Sequence, residues 1–447
     1  MESSKVAIVK NPVAPNAERI AEMLDEAMAH LGGMEHFVKP GQSVTIKGNF
    51  FAPYPPPVTV DRRLVSALIK ALYKAGASKV ILCEAVSVGT KMGRDTTTEA
   101  VIDNLGVRTA AEKAGAEVLC LEDDERVDVK IPDGVSIGEV SYPKSMLDCD
   151  VLIDLCCMKT HGMTLVTLGM KNYQGVLNDA QKYYAHRDDL EQKLVDVHKV
   201  RHTDLTIIDG LIAMEGDGAG EKGLPHPMNM LIASNDVVSA DAVATACMGF
   251  EDVLDVPTTR IAQHDGIGVA DLDKIEVLGC KIEDVAEKFL LPSTFRKPQD
   301  RYLLGCHKNV DVHIGGACKQ CWLMATSMAG VLSKLPFDYT LFVGADPKLG
   351  NKVKTDLDRV IFLGDCACAT TGELKEIRNE MLLEKKGLIL PGCPPYRPAA
   401  AMLENYLIER GIITREYLKS KNEKGIKQFN DYYMAVDPTW KPGGSEE

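Results

Sequence analysis

The sequence predicts an α/β protein in two parts, a mostly parallel sheet domain over residues 1–295 and a smaller α/β domain over residues 296–418. Three observations lead there. Apolar runs of strand length alternate with amphipathic helical stretches through the first half, the pattern of strand, crossover helix and parallel strand. Both periodicities break at Leu291-Pro292-Ser293 and Lys297-Pro298-Gln299-Asp300. Beyond the break, cysteines gather in loops beside short apolar runs. At 447 residues the chain is too long for one ordinary core, which agrees with more than one domain.

Taken in order, Val6-Ala7-Ile8-Val9 reads as a strand and residues 17–31 as a helix. Ser43-Val44-Thr45-Ile46-Lys47 is a second strand, ended by a loop holding Pro53, Pro55, Pro56 and Pro57. A helix from Arg62 to Ala75 leads through Gly76 into the strand Lys79-Val80-Ile81-Leu82-Cys83. Residues 149–157, 205–209 and 229–233 are buried-strand patterns. In the second domain, residues 339–345, 359–363 and 387–390 read as strands. Thr370-x-x-Glu373 fits a capping box opening a helix that closes at Lys385, Lys386 and Gly387. A further helix runs from near Pro398 to Gly411. Residues 419–447 are polar and expected to be a poorly ordered tail.

Apolar residues at 45% and charged residues at 26% are the balance of a soluble globular protein. A net charge of −13 disfavours binding to nucleic acid, itself a polyanion. No apolar run approaches the roughly 18 residues needed to span a bilayer, so no membrane partner is expected. Met1-Glu2-Ser3-Ser4-Lys5 lacks the layout of a signal peptide, and a cytoplasmic location is the expectation. Thirteen cysteines without a secretion signal then point to metal ligation or redox chemistry, not to a disulfide framework.

The cysteines of the second domain run Cys318-x-x-Cys321, then Cys366-Ala367-Cys368, then Gly392-Cys393-Pro394-Pro395. Such a set supplies the four thiolates of a cubane iron–sulfur cluster or of a structural zinc. Cys366, Cys368 and Cys393 follow strands and precede helices, where open α/β sheets bind ligands. A thiolate there gains from the positive end of the following helix. Backbone N–H groups at Gly315, Gly316, Gly364 and Gly392 can donate to cluster sulfides. Cys83, Cys120, Cys149, Cys247 and Cys280 sit in core patterns, where cysteine acts as a small hydrophobe. Cys156-Cys157 face opposite sides of a strand.

The order CxxC, Cys-Ala, Gly-Cys-Pro-Pro resembles the proximal-cluster loops of nickel–iron hydrogenase small subunits. That resemblance implies a [4Fe–4S] cluster on Cys318, Cys321, Cys368 and Cys393, with Cys366 and Cys306 as further candidate ligands. Cys368 is preferred because Cys368-Ala369-Thr370-x-Gly372 continues the pattern. The likeness covers the ligand loops only. The smaller α/β domain is on this reading an iron–sulfur domain.

In the first domain, Lys159-Thr160-His161 is followed by Thr167-Leu168-Gly169-Met170-Lys171-Asn172-Tyr173-Gln174-Gly175. Over approximately residues 40–250 the chain resembles the prokaryotic family called domain of unknown function 362, which carries Lys-x-His and Thr-Leu-x-x-Lys-Asn-x-x-Gly. The resemblance continues through Ile208-Asp209-Gly210, Met214-Glu215-Gly216-Asp217-Gly218, Ser234-Asn235-Asp236 and Ala240-Asp241-Ala242-Val243. Its members often carry iron–sulfur cysteine motifs, and it implies no particular reaction. From the residues themselves, Lys159, His161 and Lys171 are candidate catalytic groups on a loop after a buried strand. Two cations and an imidazole suit a carboxylate or phosphate, with His161 as general acid or base. A solvated turn with a hydrogen-bonded histidine is the alternative. Glu215 and Asp217, in an acidic Gly-rich loop, either hold a divalent metal or form a solvated turn.

The expected function is a cytoplasmic iron–sulfur oxidoreductase passing electrons from the [4Fe–4S] cluster to a substrate or partner at the Lys159/His161 cleft. Two alternatives stand beside it. One is a non-redox isomerase or dehydratase with a cluster or metal as Lewis acid. The other is an electron carrier or metal-cofactor accessory protein. The partner is then a redox protein or a small anionic substrate, with a homo-oligomer left open.

Overall fold

The computed structural model of the chain describes residues 4–94, 96–295, 308–347, 356–393, 395 and 397–443. It divides into two compact units, Met1–Lys91, Thr96–Pro292 and Gly425–Glu447 forming the first and Met92–Asp95 and Ser293–Lys424 the second.

The first unit is built on a ten-stranded sheet. Its strands are β1 (Ser4–Lys10), β2 (Ser43–Lys47), β3 (Lys79–Glu84) and β4 (Glu117–Cys120). A separate antiparallel pair follows, β5 (Arg126–Lys130) with β6 (Glu139–Pro143). The main sheet then takes β7 (Val151–His161), β8 (Leu165–Thr167), β9 (Leu205–Gly216), β10 (Gly223–His226), β11 (Met230–Ser234) and β12 (Ile275–Gly279). The order is β12-β1-β11-β9-β7-β2-β3-β4, with β8 on β7 and β10 on β9. The block β9-β7-β2-β3-β4 is parallel throughout, and β11 is antiparallel to both β9 and β1. The predicted α/β class with a mostly parallel sheet is the observed one.

Local chemistry sets the helix ends. Asn16 accepts from the Arg19 N–H to start the helix Ala17–His30. Asp61 accepts from the Arg63 N–H to start Arg62–Ala75, which stops at Gly76 with φ of 106°. Ile20, Leu24, Leu64, Leu68 and Leu72 from these helices pack with Val44, Ile46, Val80, Ile153 and Ile207 of the sheet. Burial of such side chains stabilises the layer by about 1.5–3 kcal/mol each.

The second unit carries a parallel sheet ordered β13 (Val310–Ile314), β14 (Tyr339–Val343), β15 (Val360–Leu363) and β16 (Leu388–Leu390). The strand β13 was not among the sequence expectations. The capping box expected at Thr370 does not form. Thr371 is the N-cap of the helix Gly372–Glu384 without a side-chain hydrogen bond, and the buried Thr370 hydroxyl has no partner among the described residues.

The expected disordered tail is also corrected. A helix runs from Arg415 to Val436, and beyond Gly425 the chain belongs to the first unit. There Phe429, Tyr433 and Trp440 are buried. Tyr433 donates to Asp61, Trp440 Nε1 donates to the Leu105 carbonyl, and Arg62 pairs with Asp437 at 3.1 Å. The polar composition hides three large apolar anchors. No described helix is long and apolar enough to cross a membrane.

Candidate functional site

In the first unit the two family-like motifs meet at the end of β7. The parallel register of β7 on β9 is broken between Cys157 and Lys159, an irregularity of the kind that re-aims side chains. Lys159 is fully buried and lies within the strand, not on a solvent loop. Its ammonium donates to Asn49 Oδ1 at 2.7 Å and to the Val58 carbonyl at 2.6 Å, over the Phe51 ring. Lys159 is therefore unavailable for direct contact with a substrate.

Behind it is a polar network sealed in the core. Asn49 Nδ2 donates to Asn172 Oδ1 at 2.7 Å, and Asn172 Nδ2 donates to Asp154 Oδ1 at 2.6 Å. Lys47 pairs with Glu84 at 2.7 Å, both buried. Gly175 is required beside that pair, because a Cβ there would stand 2.6 Å from Lys47 Nζ and 2.7 Å from Glu84 Oε1. Gly169 is required beside Asp154 Oδ2 and Asp241 Oδ1, which its Cβ would meet at 2.8 and 3.1 Å. Asp241 accepts the Gly169 and Met170 N–H groups, fixing the short helix Gly169–Asn172. The glycines and Asn172 of the motif are thus packing and hydrogen-bonding residues.

Asp154 Oδ2 has no hydrogen-bond partner among the described residues. Burial pushes the Asp154 carboxyl up to about 7, against the opposing effects of Asn172 and Lys47. Asp209 is likewise pushed up to about 7 by burial, and by Asp61 beside it. Asp241 is raised well above the ordinary carboxylate range by burial.

Two groups of the motif are differently placed. His161 is half-buried, and its Nδ1 accepts from the Met163 N–H at 3.0 Å. Burial, then Lys171, His186 and Lys159, hold its pKa well below the ordinary range. The imidazole is thus neutral with its proton assigned to Nε2, which makes it a hydrogen-bond donor and not a general base in this state. Lys171 is 8% exposed and has no hydrogen bond or ion pair among the described residues. Burial, then Lys159 and Lys47, lowers its pKa to about 7, against the opposing effect of Glu191.

Glu215 does not stand open for a metal. It accepts from the Leu290 N–H at 2.8 Å and pairs with His226 at 3.3 Å. Asp217 follows the end of β9. Among the described residues, no group of three or more His, Cys, Asp and Glu side chains is arranged to chelate a metal ion.

In the second unit the cysteine loops follow the carboxyl ends of β13, β15 and β16. Their backbones are tied together. Gly315 donates to the Val343 carbonyl, Gly316 and Ala345 exchange hydrogen bonds, and Asp365 Oδ1 accepts the Gly392 N–H at 2.7 Å. Cys318 is the N-cap of the helix Lys319–Leu332, and Cys321 lies in its first turn. The Cys321 thiol, then the Cys321 and Gln320 N–H groups, hold the Cys318 thiol below its ordinary range. Cys321 in turn is raised by the Cys318 sulfur and bears the charges of Cys366 and Cys393. Gly364, with φ of 87°, brings backbone against this sulfur, and its Cβ would stand 3.1 Å from Cys321 Sγ.

The sequence pattern favoured Cys368 as the fourth ligand, and Cys366, beside it, is exposed. Cys368 packs with Phe342, Phe362 and Leu374, and burial pushes its thiol up to about 11. Cys306 lies outside the described residues. Cys156 and Cys157 are buried core thiols, Cys157 pushed up by burial to about 12.

A thylakoid-associated protein of Synechocystis sp. is 27% identical over 269 residues, covering 59% of this chain and 80% of that one. The lactate racemase apoprotein from Thermoanaerobacterium thermosaccharolyticum matches in structure with a TM-score of 0.38 at 12% identity, covering 89% of this chain and 77% of that one. That likeness is too loose to carry an argument. Residues 44–246, which hold both motifs and the buried network, match the family described as "Domain of unknown function (DUF362)".

Proposed function

We propose that the chain is an iron–sulfur oxidoreductase. Its second unit would hold a [4Fe–4S] cluster through Cys318, Cys321, Cys366 and Cys393, and its first unit a small anionic substrate at Lys171 and His161. The observation that carries the reading is the meeting of three cysteine-bearing strand-end loops, where a Cβ on Gly364 would stand 3.1 Å from Cys321 Sγ and 3.7 Å from the Gly392 carbonyl oxygen. When bound, such a cluster supplies single-electron transfer to a substrate or redox partner. The protein's own part is to keep Cys318 a thiolate and to present N–H groups of Gly-rich loops to the sulfurs. Four thiolates around one tetrahedral ion stand about 3.8 Å apart, given a zinc–sulfur bond of about 2.3 Å. Among the described residues the four cysteines are not gathered to chelate a single ion.

The test is iron and acid-labile sulfide on anaerobically purified protein, with EPR before and after dithionite. The expected result is about four iron and four sulfide per chain, lost in Cys393→Ala and in Cys366→Ala but retained in Cys368→Ala. Stoichiometric zinc without sulfide sinks the proposal, and loss on Cys368→Ala alone reassigns the fourth ligand.

A further inference from the structure

The strands β15 and β16 pair in parallel, with Leu363 opposite Leu390, and then enter the loops that carry Cys366 and Cys393. Their backbones stay joined past the last paired residues. The Gly364 N–H donates to the Leu390 carbonyl at 2.8 Å, and the Asp365 N–H donates to the Gly392 carbonyl at 3.2 Å. Pro391 has no N–H with which to continue the ladder. The next donor along, the Gly392 N–H, turns to the Asp365 side chain and donates to Oδ1 at 2.7 Å. Gly392 takes φ of 126°, a backbone conformation that favours glycine. Asp365 and Gly392 thus exchange two hydrogen bonds, and each immediately precedes a candidate ligand, Cys366 in one loop and Cys393 in the other. Cys321 arrives at the same crossing, because its sulfur lies 3.1 Å from where a Cβ on Gly364 would stand.

We infer that Asp365 is a positioning residue of the cysteine site, its carboxylate fixing the spacing of the Cys366 and Cys393 loops by holding the Gly392 N–H. The inference rests on the proposed role of these cysteines as ligands. Asp365 is exposed, so packing does not call for it. Its use also differs from that of other loop aspartates. Asp252, Asp271 and Asp356 each turn Oδ1 on the N–H two residues further along their own loop, the ordinary turn role of aspartate. Asp365 instead reaches a loop 27 residues away. Two ligands held at a fixed spacing before a metal group arrives need less ordering when it binds, and the group is then held more tightly. The bond to Gly392 needs an oxygen acceptor and not a charge, so asparagine should replace Asp365 and alanine should not.

The experiment is anaerobic release of iron from the full chain to an excess of bathophenanthroline, followed by colour in the native protein, Asp365→Ala and Asp365→Asn. Asp365→Ala should release iron about tenfold faster or more, the size of a lost hydrogen bond to a charged group, and Asp365→Asn should stay near the native rate. In the metal-free chain, amide exchange over the peptide carrying Gly392, read by mass spectrometry, should quicken in Asp365→Ala and not in Asp365→Asn. Should Asp365→Ala assemble no cluster, or the native chain hold no metal, that exchange decides. Native-rate release from Asp365→Ala, release from Asp365→Asn as fast as from Asp365→Ala, or amide exchange alike in all three proteins overturns the inference. Zinc without sulfide in the native chain sinks the redox reading alone. The same comparison made on zinc release to a zinc-sensitive dye then judges Asp365 separately.

Discussion

Asn172 joins Asn49 and Asp154 across the floor of the first unit, and each is buried with few other partners. Replacing it with Ala strands the Asn49 amide and the second Asp154 oxygen. At about 1–3 kcal/mol for each unpaired group, Asn172→Ala should lower unfolding free energy by several kcal/mol in urea titration. Gly175→Ala forces a methyl against the Lys47–Glu84 pair and should cost about 1–3 kcal/mol, read the same way. The sequence pattern marked both positions but not their reason. Motif spacing says that a glycine recurs, not that a buried ion pair lies 2.6 Å from its missing Cβ. Lys159 shows the converse. It reads as a loop cation because charge usually ends a strand, yet β7 carries it inward, where Asn49 and Val58 receive it. Lys171 and His161 were legible as candidates, but the tautomer of His161 depends on the Met163 N–H and has no sequence signal.

At the scale of elements, the parallel core strands were readable because each is a short apolar run bounded by turn residues. The strand β13 was missed because Asp311 and His313 interrupt its apolar pattern. The choice between Cys366 and Cys368 illustrates a different limit. Both fall in the short helix Asp365–Cys368, where residues two apart point about 200° away from each other. Cys368 packs against the core and Cys366 is exposed, and composition does not say which is which. The C-terminal helix was missed because its exposed face is strongly polar. Its hold on the first unit is concentrated in Phe429, Tyr433 and Trp440. Phe429, 1% exposed against Tyr54, should cost about 3–5 kcal/mol on truncation to Ala. A drop in the thermal midpoint of the full chain measures this, and a change below about 1 kcal/mol would contradict the packing.

For the whole molecule, the buried titrating groups set a pH profile. Asp154 and Asp209 rise from the ordinary 3.8 to about 7 on folding. Their contribution is present in full below pH 3.8 and is lost as pH climbs through 7. Lys171 moves the other way, from 10.5 to about 7. Its contribution is present above 10.5 and is lost as pH falls through 7. His161, His186 and His198, held below their ordinary range by burial, lose their contribution as pH falls below about 6.5 and so oppose the aspartates on the acid side. In thermal melts between pH 5 and 9, Asp154→Asn, which keeps an oxygen for Asn172, should therefore lose less stability than the native chain as pH rises through 7. The return of the chain from Lys424 to the first unit has a consequence for its connectivity. The cysteine-bearing unit is an insertion in the sequence of the first, with covalent attachment at both ends. A single protease cut within it therefore liberates neither unit. The N-terminal and C-terminal pieces remain joined through Arg62–Asp437 and the anchored Phe429, Tyr433 and Trp440. They should migrate as one species on gel filtration and as two bands under denaturing electrophoresis.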